Sequence, residues 1–257
     1  MKSVGLVLSG GGIRGMAHIG LLKAMQEHNI EADAVAGTSV GALVGALYAN
    51  GNSFDEMLQF FKETPIFQYS FFTFNKPGFI DTEKYFDIFL NHFPENSFEA
   101  LQKKLFVVAT DLLNGEEVCF NKGTLIHPLL ASAALTPVFS PVEMGNTFFA
   151  DGGIMNNFPK EYLDDDYDYI IGSNVSVAGH LEKKDLKNAW QLGNRVTSLA
   201  IYASCKAKIQ HCTWFIEPSE LETIGVFDKK SVSKAFTIGY DYASRAIEKE
   251  LKKAPIN

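Results

Sequence analysis

The sequence predicts an α/β fold, a mostly parallel sheet covered by helices, in a chain of 257 residues. Three observations predict it. Two strand-glycine-helix units follow one another from Val4 to Tyr48, an order that makes neighbouring strands parallel and calls for helical covers. β-Branched and aromatic runs bounded by turn residues return after Leu105. No internal repeat, low-complexity tract or Pro/Gly/Ser linker divides the chain, so one domain over 1–257 is the economical reading, with 53–100 as a phenylalanine-rich helical insertion or cap.

Val4 to Leu8 is a short β-branched and leucine run that stops at Ser9-Gly10-Gly11-Gly12. His18, Leu21, Leu22 and Met25 then recur at helical spacing. A second strand, Ala34 to Gly37, meets Thr38-Ser39-Val40-Gly41 and leads into a small-residue helix, Ala42 to Tyr48, stopped by Asn50-Gly51. Ser53 and Glu56 are spaced as a capping box, and Asp81-Thr82 opens a helix through Tyr85, Phe86, Phe89 and Leu90. Eleven of the 21 phenylalanines fall between Phe54 and Phe93, which marks this stretch off from the rest. Strands are expected at Leu105 to Thr110, at Glu117 to Phe120 after the Asn114-Gly115 turn, and at Thr147 to Ala150, Tyr169 to Ser173 and Thr213 to Ile216. Helical patterns over about Leu186 to Ile209 and Ser231 to Lys252 complete the chain.

Composition excludes several classes. With 46% hydrophobic and 21% charged residues the chain is an ordinary globule, far from the signature of disorder. A net charge of -7 without a lysine-arginine block gives a polyanion nothing to bind, so no nucleic acid partner is expected. Cys119, Cys205 and Cys212 are odd in number and lack a CxxC pair, which argues against a disulfide framework and against a thiolate metal site and fits a reducing, cytoplasmic compartment. The first residues enter a strand directly, too short for a signal-peptide core. The longest nearly apolar run, Val40 to Ala49, is well short of the roughly 20 residues of a spanning helix.

Gly10-Gly11-Gly12-Ile13-Arg14-Gly15 satisfies G-x-G-x-x-G between a strand and a helix, where backbone N–H groups converge on a negative oxygen. That pattern serves a dinucleotide pyrophosphate or the oxyanion of acyl transfer equally well. The second strand favours the latter: a ribose-binding acid belongs at its carboxyl end, whereas Asp33 stands at its beginning. No G-K-S/T follows the glycines, which removes the Walker alternative.

Gly37-Thr38-Ser39-Val40-Gly41 is G-x-S-x-G between strand and helix, a turn that lifts a serine hydroxyl above a sheet edge. A helix cap rich in small residues is the plainer explanation of the same letters. Both glycine turns follow successive parallel strands, so both face one rim, where ligands of α/β sheets bind. The serine needs a base. None of the six histidines stands in a triad context, and His18, inside the first helix, reads as a core or supporting residue. Asp151, in Ala150-Asp151-Gly152-Gly153 after an expected strand, is the better candidate, although a lone Asp-Gly-Gly is more often a plain turn.

Taken together and in order, Gly10 to Gly15, Gly37 to Gly41, Ala131-Ser132-Ala133-Ala134-Leu135-Thr136-Pro137 and Asp151-Gly152-Gly153 resemble the motifs of the patatin-like phospholipases. The likeness extends through Ala109-Thr110-Asp111-Leu112 and Asn156-Asn157-Phe158-Pro159, and so covers about Val4 to Pro159. The resemblance implies a three-layer α/β/α fold and a Ser-Asp dyad without histidine. It makes Ser39 the nucleophile and Asp151 the general base. The oxyanion hole falls to the backbone of Gly10, Gly11 and Gly12, with Arg14 and Gly15 holding that loop; Gly37 and Gly41 shape the nucleophile turn, and Gly152 and Gly153 support the acid. It implies a lipid acyl hydrolase acting on phospholipid, lysophospholipid or other acyl esters through an acyl-serine, with no cofactor and no metal. Acyl transfer by the same dyad, or lipid binding without turnover, are the alternatives, and a nucleotide-binding oxidoreductase is the remaining one.

Two features stand outside those motifs. The phenylalanines either pack as extra core, as aromatics at helical spacing usually do, or leave Phe67, Phe71, Phe72 and Phe74 exposed as a cap that receives acyl chains or touches a lipid surface transiently. Asp164-Asp165-Asp166 has no EF-hand spacing and reads as a solvated loop rather than a cation site.

Overall fold

The computed structural model describes residues 2–66, 68–163, 166–209 and 211–253. In chain order the elements are β1 (Val4–Leu8), α1 (Met16–Glu27), β2 (Ala34–Thr38), α2 (Val40–Ala49), α3 (Phe54–Glu63), α4 (Phe86–His92), β3 (Lys104–Asp111), β4 (Glu116–Phe120), α5 (Ile126–Ser132), β5 (Val142–Met144), β6 (Thr147–Asp151), β7 (Tyr169–Ser173), α6 (Ala189–Ile209), β8 (Trp214–Ile216) and α7 (Val232–Lys253). The strands form one sheet in the order β5-β6-β3-β2-β1-β7-β8, with β4 also paired to β3. The β3-β2-β1-β7-β8 core of the sheet is parallel, and β4, β5 and β6 enter antiparallel.

β1 and β2 are buried at every position, which is why they read as continuous apolar runs rather than alternating ones. Their side chains still divide with period two. Leu6, Leu8 and Val35 join the large core beneath α1, α2, α3 and α7. Val7, Ala34, Ala36 and Ile170 join a second cluster with Phe158 and with Cys205 and Ile209 of α6. Two helical layers therefore sandwich the sheet, the three-layer α/β/α arrangement that the resemblance implies.

The pairing of β3 is what builds the site. Its first half, Lys104 to Val108, lies against β2, and its last residues, Ala109 to Asp111, lie against β6. β4 pairs with Val107 to Asp111 and so occupies the opposite edge. β6 thus continues the edge that β2 vacates, running the other way. Thr38 pairs with Val108 and Asp151 pairs with Ala109, so the carboxyl ends of β2 and β6 meet head-on beside adjacent residues of β3.

Most expected boundaries agree within a residue or two, and two elements are additional. α5 is only seven residues long and carries Pro128, and β5 is three residues with Glu143 at its centre, both too short for a periodic signal. Asp33 accepts a hydrogen bond from the Val4 amide at 2.8 Å, so the acid at the start of β2 ties down the start of β1. The phenylalanine-rich stretch divides between its two readings. Phe60, Phe61, Phe89, Phe93 and Phe98 are buried in the large core. Phe71 is partly buried, while Phe72, Phe74 and Phe79 are exposed; Phe67 lies outside the described residues. Of the acidic run, Asp164 and Asp165 lie outside the described residues and Asp166 is exposed. Among the described residues no helix is long and apolar enough to cross a membrane.

Candidate active site

Ser39 stands between β2 and α2 with φ 55° and ψ -128°, a region that non-glycine residues adopt at a cost of about 1–3 kcal/mol. The turn is sharp enough that a Cβ on Gly41 would overlap the Leu8 and Ser9 carbonyls, and one on Gly37 would lie 2.6 Å from the Ala42 amide. Small residues at both positions are therefore a packing requirement. Ser39 is also the N-cap of α2, so the positive end of that helix lies beneath its hydroxyl.

The head-on meeting of β2 and β6 brings the two predicted side chains together: Ser39 Oγ donates to Asp151 Oδ2 at 2.6 Å, the length of a charge-assisted O–H···O bond. Asp151 is 5% exposed. Burial pushes its carboxyl up from 3.8 to about 6, against the opposing effect of hydrogen bonds from Ser39 and from the Gly153 amide. That amide reaches Asp151 Oδ1 at 2.8 Å, the Asp151 carbonyl accepts from Thr110 Oγ1 at 2.9 Å, and the Asp151 amide donates to the Ala134 carbonyl at 3.0 Å. Gly152 lies so close to the Val108 carbonyl that a Cβ would overlap it. The acid is held on every side, and its raised affinity for a proton suits it to take one from an alcohol at neutral pH.

The glycine loop closes over the same point. A Cβ on Gly10 would lie 3.1 Å from Ser39 Cβ. The Gly10 amide is directed to the Asn157 carbonyl at 3.4 Å and the Ile13 amide to the Val226 carbonyl at 2.9 Å. The N–H groups of Gly11 and Gly12 stand between those two tethers. Arg14 fastens the loop from outside, its Nε donating to the Ile224 carbonyl at 2.7 Å and a terminal nitrogen to the Val177 carbonyl at 3.3 Å. Gly15 packs against Val40 with no room for a Cβ.

Two supports were not assigned roles from the sequence. Ser132, at the end of α5, accepts from the Ser39 amide at 2.8 Å and donates to the Val108 carbonyl at 2.6 Å. It lies inside the Ala131 to Pro137 motif, the one signal that could have found it. Asn157 packs its side-chain amide between Gly10 and Gly153. His18 plays the supporting part expected of it. Its Nε2 faces the Ser9 carbonyl at 2.9 Å and must carry the proton, so Nδ1 accepts from Ser173 Oγ at 2.9 Å. Burial pushes its pKa down from 6.5 to about 4, which keeps it neutral. Among the described residues no histidine hydrogen-bonds to Ser39 or Asp151, and no group of three or more His, Cys, Asp or Glu converges as a metal site.

Ser39 opens into a cavity of about 160 Å³ bounded by Phe60, Phe61, Phe89, Leu130, Ala133 and Phe139, among others. Among the described residues no charged side chain lines it, so its walls suit a hydrocarbon chain.

Comparison with known proteins agrees with this architecture. The family model described as Patatin-like phospholipase matches residues 6–164. An uncharacterized NTE family protein of Mycobacterium bovis is 35% identical over 182 residues, 68% of this chain and 50% of that protein. The neuropathy target esterase sws of Drosophila melanogaster is 31% identical over 170 residues, 63% of this chain and 12% of that protein. The chain thus matches about half the length of the first of these relatives and a small part of the second. The crystal structure of VipD from Legionella pneumophila aligns with a TM-score of 0.59 over 97% of this chain and 67% of that one, at 15% identity, a likeness of fold.

Proposed function

Since this chain belongs to the patatin-like phospholipase family, we propose that it hydrolyses fatty-acyl esters of lipids through an acyl-serine intermediate, with Ser39 as nucleophile and Asp151 as general base. The single observation that carries the reading is the 2.6 Å hydrogen bond from Ser39 Oγ to Asp151 Oδ2 beside an apolar cavity.

An aspartate is a weak base for an alcohol, so the proton moves as the C–O bond forms. Ser39 Oγ attacks the ester carbonyl carbon while its proton passes to Asp151. The carbonyl oxygen becomes an oxyanion held by the N–H groups of Gly11 and Gly12; a single donor of this kind is worth about 2.7–4 kcal/mol. Collapse breaks the bond to the leaving oxygen, which takes the proton from Asp151 and departs as an alcohol. Water then attacks the acyl-serine, gives a proton to Asp151, and the second collapse releases the fatty acid and returns that proton to Ser39. The elevated pKa of Asp151 improves the match between base and alcohol, while its value of about 6 leaves most of it ionised at pH 7.

The test is fatty-acid release from a panel of phospholipid, lysophospholipid and simple acyl esters. Wild type should release acid and be labelled at Ser39 by a fluorophosphonate, while Ser39→Ala and Asp151→Asn, shown folded by thermal melting, should lose turnover by at least about a thousandfold. Substantial turnover in either variant would reject the dyad.

A further inference from the structure

Residues 71–81 form a hairpin at the edge of the cavity. The Thr73 amide donates to the Phe79 carbonyl at 3.1 Å, the Asp81 amide to the Phe71 carbonyl at 2.8 Å, and Phe72 bridges Ile80. Its base is fixed to the segment that walls the cavity: the Ile80 amide donates to the Val138 carbonyl at 3.0 Å and the Ser140 amide to the Ile80 carbonyl at 2.7 Å. Phe139, between those two residues, lines the cavity, as do Thr64, Pro65 and Ile66 on the approach to the hairpin. Ile80 is buried at the base and Phe71 packs on Tyr85 with ring centroids 4.8 Å apart.

The hairpin and Tyr69 just before it show aromatic rings to solvent: Tyr69 is 94% exposed, Phe74 97%, Phe79 63% and Phe72 46%. Together they offer on the order of 600 Å² of aromatic surface within eleven residues, at the upper end of what a soluble protein leaves bare. That is short of the roughly 800 Å² per partner that a stable protein interface buries. The only charged side chain from Tyr69 to Ile80 is Lys76, and it is paired with Asp81 at 2.8 Å and with Glu83. From outside the segment Lys84 reaches in, its ammonium tethered to the Ser70 carbonyl at 2.6 Å, and against four exposed rings these two held cations offer little to an anionic face. The surface suits the interfacial zone of a bilayer, where phenylalanine and tyrosine partition by burial.

We propose that the aromatic hairpin, led by Phe74 and Phe79, is a membrane-docking element that inserts into a zwitterionic phospholipid surface and brings the acyl cavity to it. Docking stands on the exposed rings alone; delivery of acyl chains to Ser39 rests on the hydrolase reading above. Because insertion is driven by burial rather than charge, docking is insensitive to salt and to anionic lipid.

The experiment is co-sedimentation of the full chain with phosphatidylcholine vesicles, with and without added phosphatidylserine, at about 0.1 M and 1 M salt. Wild type is compared with Phe74→Asp and Phe79→Asp, with thermal melting, gel filtration and hydrolysis of a short soluble ester as companions. Wild type should sediment equally under all conditions. Each variant should bind at least about tenfold more weakly and hydrolyse vesicle lipid correspondingly less, with melting and soluble-ester hydrolysis unchanged. Soluble-ester hydrolysis absent throughout would remove the hydrolase reading and leave docking standing. Docking is overturned if wild type stays in the supernatant, if the variants sediment like wild type, if binding vanishes at high salt, or if gel filtration shows a Phe74-dependent dimer.

Discussion

Ser132 holds Ser39 by its backbone, accepting the Ser39 amide at 2.8 Å while giving its own proton to the Val108 carbonyl at 2.6 Å. It therefore joins the strained turn to the strand on which β2 and β6 meet. Ser132→Ala leaves a buried N–H and a buried carbonyl unpaired, at about 1–3 kcal/mol of stability. It also releases the φ of 55° that aims the hydroxyl at Asp151. The expected outcome is a fall in kcat of about tenfold or more, with KM for a short ester little changed, since positioning rather than binding is lost. Steady-state kinetics alongside thermal melting checks this: a lowered Tm with an intact kcat would assign Ser132 to the fold alone.

The pH dependence follows from the same pair. Asp151 must be ionised to accept a proton, and burial sets its pKa at about 6. For a soluble ester kcat/KM should rise through about pH 6 and level off above it, reporting the free enzyme. No second limb from a histidine is expected, because His18 is held neutral and forms no hydrogen bond to the dyad. A profile governed by a group near 7 and abolished by His18→Gln would overturn the assignment of the base.

Much of this site was legible in the sequence, and the limits are physical. Gly37 to Gly41 announces its turn because the Gly41 and Ala42 backbone leaves no space for a Cβ at Gly37, a local constraint that a local motif can carry. Gly10 to Gly15 is readable by its spacing between strand and helix, although the atoms that exclude a Cβ there belong to Asn157, Val175, Val226 and Val40, distant in the chain. The encounter of Ser39 with Asp151 is of another kind. It depends on β6 taking over the β3 edge at Ala109 where β2 stops at Val108, a register between segments more than forty residues apart. The residues offered Asp151 as a candidate base for Ser39, and the resemblance made the two a dyad. Ser132 was readable as a letter in a motif but not as a tether, because a serine hydroxyl carries no sign of which distant amide it will accept. The division of the phenylalanines into core and exposed rings was open for a similar reason: Phe60 and Phe74 differ in what the tertiary structure lays over them.

Asp151 and His18 tilt stability with pH in opposite senses. A carboxyl at about 6 in the folded state and 3.8 when unfolded ionises first in the unfolded chain, so its contribution worsens as pH rises from 3.8 to 6. The full cost above pH 6 is about 3 kcal/mol. His18, at about 4 folded and 6.5 unfolded, binds its proton first in the unfolded chain, so its contribution is present above 6.5 and lost as pH falls towards 4. Between pH 4 and 6 the two trends largely cancel. Asp151→Asn should therefore be more stable than wild type at pH 8, by up to about 3 kcal/mol, and should lose that advantage on acidification, because the wild-type carboxyl is then protonated while the histidine contribution is common to both proteins. Chemical denaturation of both proteins at pH 4, 6 and 8 reads this directly; an Asn variant that is less stable than wild type at pH 8 would show that the buried carboxylate is not strained.

The cavity sets an expectation for chain length that is independent of the dyad's protonation. Ala133 and Phe61 both line it, the first beside Ser132 and the second on α3. Ala133→Phe shortens the space available to an acyl chain, and Phe61→Ala extends it while costing about 3 kcal/mol of stability through lost packing on Phe60. Each methylene that finds apolar cover is worth about 0.8 kcal/mol, roughly fourfold in kcat/KM when the cover is kept in the transition state. Across p-nitrophenyl esters of increasing length, the optimum should move to shorter chains in Ala133→Phe and to longer ones in Phe61→Ala. The shortest ester should be hydrolysed by both at near the wild-type rate, because the dyad side chains hydrogen-bond to each other and to Gly153, not to either of these side chains. Equal losses at every chain length would mean that the acyl group lies elsewhere on the molecule.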